Sequence, residues 1–113
     1  MLKTHRHFRH IESPQGAGTL HNGERLFARV TYGLRVLQEI IGTRQWSGAS
    51  ATKGVLQITG RFDVTSGSLP SKGDQLTLRL DDGRTLAFQV ASAGPTYAMA
   101  PTIAPAGGNS PLA

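Results

Sequence analysis

The chain has 113 residues, with 12 Lys and Arg against seven Asp and Glu, a formal net charge of +5, and no cysteine. This length allows a single domain with a small core, and the missing cysteines exclude disulfide staples and thiolate metal sites. No segment has the apolar run of a signal peptide or the roughly 20 apolar residues of a membrane helix.

Residues 1–18 are polar and are interrupted by Pro14 and two glycines, without a sustained period of two or of 3.6 residues. This pattern predicts an N-terminal arm outside the compact domain. The arm is basic, and we expect Arg6, Phe8 and Arg9 to make its contacts with a partner.

The first periodic segment covers residues 24–42, where apolar and polar residues alternate as in a half-buried strand. It is too long for one flat strand, so we predict a bulge, a bend or a break at Gly33. A helix over residues 34–41 is the alternative, because apolar residues recur there at helical spacing as well.

The middle of the chain predicts a loop, one further strand and a turn region, in that order. Residues 42–54 are rich in small residues and predict a long loop, in which Trp46 either covers one end of the barrel or anchors a partner. Alternation returns over residues 55–64, where Gly60 takes an inward position and predicts a bulge or a tight corner. A turn region follows at residues 66–74.

The clearest local pattern is a β-hairpin whose apolar residues alternate on both sides of Asp81-Asp82-Gly83. A two-residue turn would place Leu86 on the polar face, whereas a three-residue loop pairs it with Leu78. We therefore predict a three-residue loop with Gly83 in the left-handed conformation.

From Ala91 onward no side chain is charged, and Ala, Pro and Gly dominate. So few large apolar groups do little to offset the entropy of ordering a backbone. We therefore predict that residues 93–113 form a C-terminal arm held by a neighbouring subunit, with Tyr97, Met99 and Ile103 as its contacts.

Together these segments predict an all-β domain over residues 19–92, flanked by the two arms. Five or six antiparallel strands would form a small barrel or a compact sandwich. The 14 glycines and the small number of aromatic residues fit a turn-rich β fold better than a helical bundle.

An arginine stripe is the first candidate binding feature. Arg25, Arg29 and Arg35 share one parity of the first predicted strand and could bind anions. With the basic arm, and with Phe8 stacking on a base, they could follow a nucleic-acid backbone.

The spacing of Arg25 and Arg29 resembles the Arg-x-x-x-Arg pair of PilZ domains. Those small β-barrels bind cyclic di-GMP, so the resemblance implies a nucleotide-binding barrel. PilZ domains also carry a later Asp/Asn-x-Ser-x-x-Gly motif, from which residues 63–67 depart: Thr65 stands in place of the serine, and Gly67 falls one position early.

Catalytic and metal-binding patterns are weak. His5, His7 and His10 cluster in the arm, but Glu12 is the only carboxylate beside them, so we predict no metal and no cofactor. The sequence has no nucleotide-binding glycine loop, no nucleophile elbow and no separated pair of acids, so we do not expect an enzyme.

We therefore expect a structural or interaction protein, a homo-oligomer or one subunit among others in a larger symmetric assembly. Phage-type particles and tail machines are the expected setting, on architectural analogy. A small nucleic-acid-binding barrel is the alternative, and a PilZ-like barrel a further one. We expect a protein of the producing cell's cytoplasm that ends in such a particle, without contact to a membrane.

Overall fold

The computed structural model describes residues 3–45, 48–106 and 110–113. These residues form eight β-strands and no helix. The strands are β1 (Lys3–Glu12), β2 (Gln15–Asn22), β3 (Arg25–Gln45), β4 (Gly48–Gly67), β5 (Gln75–Arg79), β6 (Thr85–Ser92), β7 (Tyr97–Met99) and β8 (Thr102–Ala104).

The strands of the described residues form one antiparallel sheet in the order β1-β3-β2-β5-β6-β7-β4-β8, and β3 also pairs with β4. The additional pairing closes a ring of six strands, β2 to β7. The predicted all-β, barrel-like fold is confirmed, and the ring has the larger of the two predicted strand numbers.

Two long strands, β3 and β4, run through the whole molecule. Residues 25–33 of β3 pair with β2, and residues 36–44 of β3 pair with β1 along the same edge. The bulge or break predicted at Gly33 is absent, because β3 is continuous and its pairing shows no register shift there. The alternative helix over residues 34–41 is wrong for the same reason. The predicted long loop over residues 42–54 is also wrong, since it covers the adjoining ends of β3 and β4.

The core lies inside the ring and is formed by the inward-facing side chains of its strands. Phe62 stacks on Tyr97 with ring centroids 5.1 Å apart and meets Phe88 edge-on at 5.6 Å. The bulge predicted at Gly60 is absent, because the β3–β4 register is regular there. A Cβ atom at Gly60 would instead lie 2.5 Å from Leu34 Cδ2, so the glycine makes room for a core side chain.

The predicted hairpin is confirmed as β5 and β6, including its register. Leu78 lies opposite Leu86, and Gly83 has a φ of 92°. The Leu80 N–H donates to the Arg84 carbonyl at 2.8 Å, which closes the three-residue loop.

The predicted C-terminal arm is wrong, because this segment completes its own barrel. Strand β7 lies between β4 and β6, and β8 lies along β4. Tyr97, Met99 and Leu112 are 9%, 6% and 7% exposed. The backbone of Ala113 exchanges two hydrogen bonds with Thr85, of 2.6 and 3.1 Å. Apolar residues at inward positions and backbone pairing order a segment that composition alone marks as unstructured.

The N-terminal segment is likewise a strand rather than an unpaired arm. Lys3–Glu12 pairs with β3 along its length, and the domain boundary predicted after Gly18 falls inside β2. The Pro14 carbonyl accepts the Leu34 N–H at 2.8 Å between the two pairings. None of the residues described forms a helix long and apolar enough to cross a membrane.

Candidate interaction surfaces

A three-stranded ribbon extends from the barrel and gives the molecule its extents of 59 × 26 × 21 Å. We use "the ribbon" for β1, residues 36–45 of β3 and residues 48–57 of β4. Side chains from Arg6 to Ile11 in β1 are exposed. Ile40 and Ile41 point to opposite faces of the middle strand, and both remain half-buried. Half-burial at this central position indicates that no second layer of described residues covers either face of the ribbon.

Both long edges of the ribbon lack a strand partner within the described ranges. Strand β1 pairs with β3 on one side only. On the edge of β4 that faces away from β3, β7 pairs at residues 61–62 and β8 at residues 56–58, which leaves residues 48–55 without a partner. Such edges present free N–H and C=O groups that can pair with another chain.

A β-bulge in β4 bends the ribbon where it leaves the barrel, at Gly54 and Val55. The Gln38 side-chain amide donates to the Gly54 carbonyl at 3.0 Å and to the Val55 carbonyl at 3.3 Å. The Glu39 carboxylate accepts the Val55 N–H at 3.3 Å, and a Cβ atom on Gly54 would collide with that carboxylate. Polar side chains, rather than apolar packing, fix this bulge.

The register of β1 divides its side chains between the two faces of the ribbon. Phe8 lies opposite Glu39 and is 46% exposed. Arg6, on the same face, lies 3.9 Å from the Glu39 carboxylate. Arg9 lies opposite Gln38 on the other face. The predicted contact residues of this segment are thus accessible, but they lie on both sides of one sheet.

The other predicted contact residues differ in their accessibility. Tyr97 and Met99 are core residues, so they are not available to a partner. Ile103 is 61% exposed and lies opposite Gln57, where β8 meets the base of the ribbon. Trp46 lies outside the described residues.

The predicted arginine stripe does not hold as a set of three. Phe27 is an extra residue in β3 between the pairs Leu20–Ala28 and His21–Leu26. The extra residue reverses the alternation of side chains between the two faces of β3, so Arg25 and Arg29 lie on opposite faces. The structure separates the two arginines that resemble the PilZ pair.

Arg29 and Arg35 lie on the outside of the barrel, where sequence reasoning missed a third member, Arg61. Arg61 lies directly opposite Gly33, which is two residues from Arg35. Gly33, Arg35 and Arg61 line an open groove of about 460 Å³. The alternation of residues 55–64 correctly placed Arg61 on the outside, but the pairing with Gly33 depends on register, which no local pattern specifies.

The hydroxyl of Tyr32 joins β3 to the loop of the β5–β6 hairpin. Tyr32 is 5% exposed, and its hydroxyl donates to the Asp81 carboxylate at 3.0 Å and accepts the Asp81 N–H at 3.3 Å. Burial is the main cause that raises the pKa of Tyr32 above its ordinary value of 10.0. A Cβ atom on Gly16 would lie 2.6 Å from that carboxylate, so this glycine lets β2 approach the pair.

Arg84 joins the same hairpin loop to β1. Its guanidinium lies 2.8 Å from Glu12 and 2.9 Å from Asp82. The hydrogen bond to Glu12 is the main cause that raises the pKa of Arg84, and the Arg84 backbone N–H is the main cause that lowers the pKa of Asp82. These side chains are partly exposed, so the network contributes modestly to stability.

The histidines do not come together as a metal site in the described part of the chain. His7 and His10 lie on opposite faces of β1, and no three His, Cys, Asp or Glu side chains of the described residues are arranged to hold a metal ion. The chain matches no protein-family model, and neither the curated proteins nor the solved structures show a detectable relative. The geometry of the surfaces is therefore the basis for a functional proposal.

Proposed function

We propose that this protein is a non-enzymatic subunit of a larger symmetric assembly, and that the ribbon makes the contact between copies of the chain. The proposal depends on the middle strand of the ribbon, whose Ile40 and Ile41 stay half-buried. Both outer edges of the ribbon also lack a partner among the strands that the structure describes. A second chain would cover the apolar groups and complete the backbone hydrogen bonds.

The distribution of apolar residues supports a contact that involves a face as well as an edge. Phe8, Leu37 and Ile41 share the face that continues the outside of the barrel. Burying such side chains against a neighbour would stabilise an assembly by about 1.5–3 kcal/mol for each fully buried residue. An isolated sheet of this kind gains none of that free energy.

A second copy of the same chain is the partner that the ribbon fits best. The β1 edge is basic, so two β1 edges would repel each other. The β4 edge lies on the opposite side of the same ribbon, so β1 of one copy can meet β4 of the next. Contacts of this head-to-tail type close into rings when the rotation between copies allows it. Phage-type particles provide architectural analogies for such rings of small β domains.

The test is the mass of the protein in solution, by light scattering after size exclusion. We expect a mass several times that of the 12.0 kDa chain. Phe8→Asp should shift the mass toward the single chain, because it places a carboxylate opposite Glu39 in the contact face.

Leu69→Asp is the matched control, since Leu69 is 70% exposed and lies in the turn at the opposite end of the barrel. Its mass should equal that of the unmodified protein. A single-chain mass for the unmodified protein, at concentrations up to the solubility limit, would contradict the proposal.

A further inference from the structure

The outside of the barrel carries a second surface, which continues the face of Leu37 along β3. On the outside of β2, β3 and β4, small side chains lie in adjacent register positions: Ala17 and Thr19 in β2, Thr31 and Gly33 in β3, and Thr59 in β4. A Cβ atom on Gly33 would have no atom within 4 Å, so the surface above this residue is open. The result is a shallow trough along β3.

Arginines border this trough, and we call the whole feature the arginine trough. Arg35 and Arg61 are diagonal neighbours across β3 and β4, a relation that places Cα atoms about 7–8 Å apart. They flank the groove of about 460 Å³ above Gly33. A second groove, of about 280 Å³, lies beside Arg29, which is six residues, or about 20 Å, from Arg35 along the strand.

Among the described residues, the three guanidinium groups have no ion-pair partner. Within the described ranges, neither Arg29, Arg35 nor Arg61 has a carboxylate within 4.0 Å. The acid in this region is Asp63, which lies opposite Thr31 in the middle of the trough. Arg6 and Arg84, in contrast, each have a carboxylate partner. The trough therefore concentrates positive charge whose hydrogen-bond donors are available to a ligand.

We propose that the arginine trough binds single-stranded nucleic acid through its phosphodiester backbone. Arginine presents a planar set of donors that matches the oxygens of a phosphate group. Several such groups in a row suit a chain of phosphates better than one small anion. Arg29 and Arg35 lie on β3, and Arg61 lies on the adjacent strand β4, about 4.8 Å away. The three arginines therefore form a narrow row along the sheet, which suits one strand of phosphates better than a duplex.

The same features make the binding independent of base sequence. The residues that line the two grooves include no aromatic side chain that could stack on a base. Asp63, the carboxylate in the middle of the trough, is not among them. Affinity then comes from charge neutralisation, which weakens steeply with salt.

The experiment measures binding of a fluorescent oligothymidylate to the full chain by anisotropy. If the three arginines each neutralise one phosphate, the slope of log affinity against log salt is about −2, so affinity falls about 20-fold between about 50 and 200 mM salt. The double variant Arg35→Gln/Arg61→Gln should reduce this slope to about −0.7.

Two single variants separate the trough from general basicity. Arg25→Gln removes one positive charge from β3, as Arg35→Gln would, but on the opposite face of the strand. It should therefore leave the affinity nearly unchanged. Gly33→Val fills the groove without altering the charge and is compatible with extended backbone, so it should weaken binding.

Several results would overturn the proposal. These are no binding at about 50 mM salt, equal losses for Arg25→Gln and the double variant, an unchanged affinity for Gly33→Val, or tighter binding of a duplex of the same length. Inorganic pyrophosphate that binds where the oligonucleotide does not would assign the trough to a small phosphate compound instead. The double variant should keep the mass of the unmodified protein, which separates a failure of this proposal from a failure of the assembly contact.

Discussion

Strands β3 and β4 pass through two different environments, and the contrast between them is informative. In the barrel their inward side chains Val30, Leu34, Ile58 and Phe62 are 1–2% exposed. In the ribbon the same strands continue their hydrogen-bonded ladder, but Ile40 is only half-buried. Backbone pairing is thus common to both regions, whereas full apolar burial along β3 ends at Val36, where the ribbon begins. The barrel can be stable alone, whereas the ribbon gains most from an external contact.

The largest expected effect on the free energy of unfolding is the difference between two phenylalanine variants, one in each region. Phe62→Ala should lower the free energy of unfolding by about 3–5 kcal/mol, because Phe62 packs between Tyr97 and Phe88. Phe8→Ala should change it by less than about 1 kcal/mol, since Phe8 is 46% exposed. Urea denaturation of both variants measures the difference, and similar losses would mean that the ribbon is as well packed as the barrel.

The next effect tests whether the uncharged end of the chain belongs to the barrel. Leu112→Ala should cost about 2–3 kcal/mol, since Leu112 is 7% exposed and joins the core cluster. Ile103→Ala, at a residue that is 61% exposed, should cost less than about 0.5 kcal/mol. Thermal unfolding of the two variants gives the comparison. An unchanged unfolding temperature for Leu112→Ala would show that this segment is an arm outside the core.

A smaller effect on stability concerns the contact between Tyr32 and the hairpin loop. Tyr32→Phe should lose about 1 kcal/mol at neutral pH through the missing hydrogen bond to Asp81. The raised pKa of Tyr32 means that the folded state holds the phenolic proton more tightly than the unfolded state. Its contribution is therefore full below pH 10.0 and is lost as the pH rises through the folded pKa.

Denaturation at several alkaline pH values checks this dependence. The unmodified protein should lose stability above pH 10.0 more steeply than Tyr32→Phe. Parallel curves for the two proteins would show that the hydroxyl is not held as described.

The smallest effect on global stability is expected within the ribbon. Gln38→Ala removes the amide that donates to the Gly54 and Val55 carbonyls, so amide hydrogens around the bulge should exchange faster. The unfolding midpoint of the barrel should move little. A large fall in that midpoint would show that ribbon and barrel unfold as one unit.

Sequence reasoning predicted the parts of the fold in which one face is buried. The hairpin register of Leu78 and Leu86 follows from alternation and turn geometry, because a slip by one residue would expose every apolar side chain. Strand β1 was missed for the opposite reason. It lies in the ribbon, where neither face is packed, so no alternation of apolar residues marks it.

The candidate surfaces depended on features that lie beyond local sequence. The extra residue Phe27 moved Arg25 off the predicted stripe, and the pairing of Gly33 with Arg61 created the groove. Bulges and long-range register arise from the closure of the whole sheet. The tail was misjudged because composition counts apolar residues, whereas Tyr97, Met99 and Leu112 act through their inward positions.

Hydrogen exchange measured over a range of protein concentrations tests the central claim most directly. If copies of the chain meet through the ribbon, amides of residues 3–12 should become protected as the concentration rises and the mass grows, while those of β5 and β6 stay as they were. Protection of residues 3–12 that is independent of concentration, or a mass increase accompanied by new protection only on the barrel, would contradict the account.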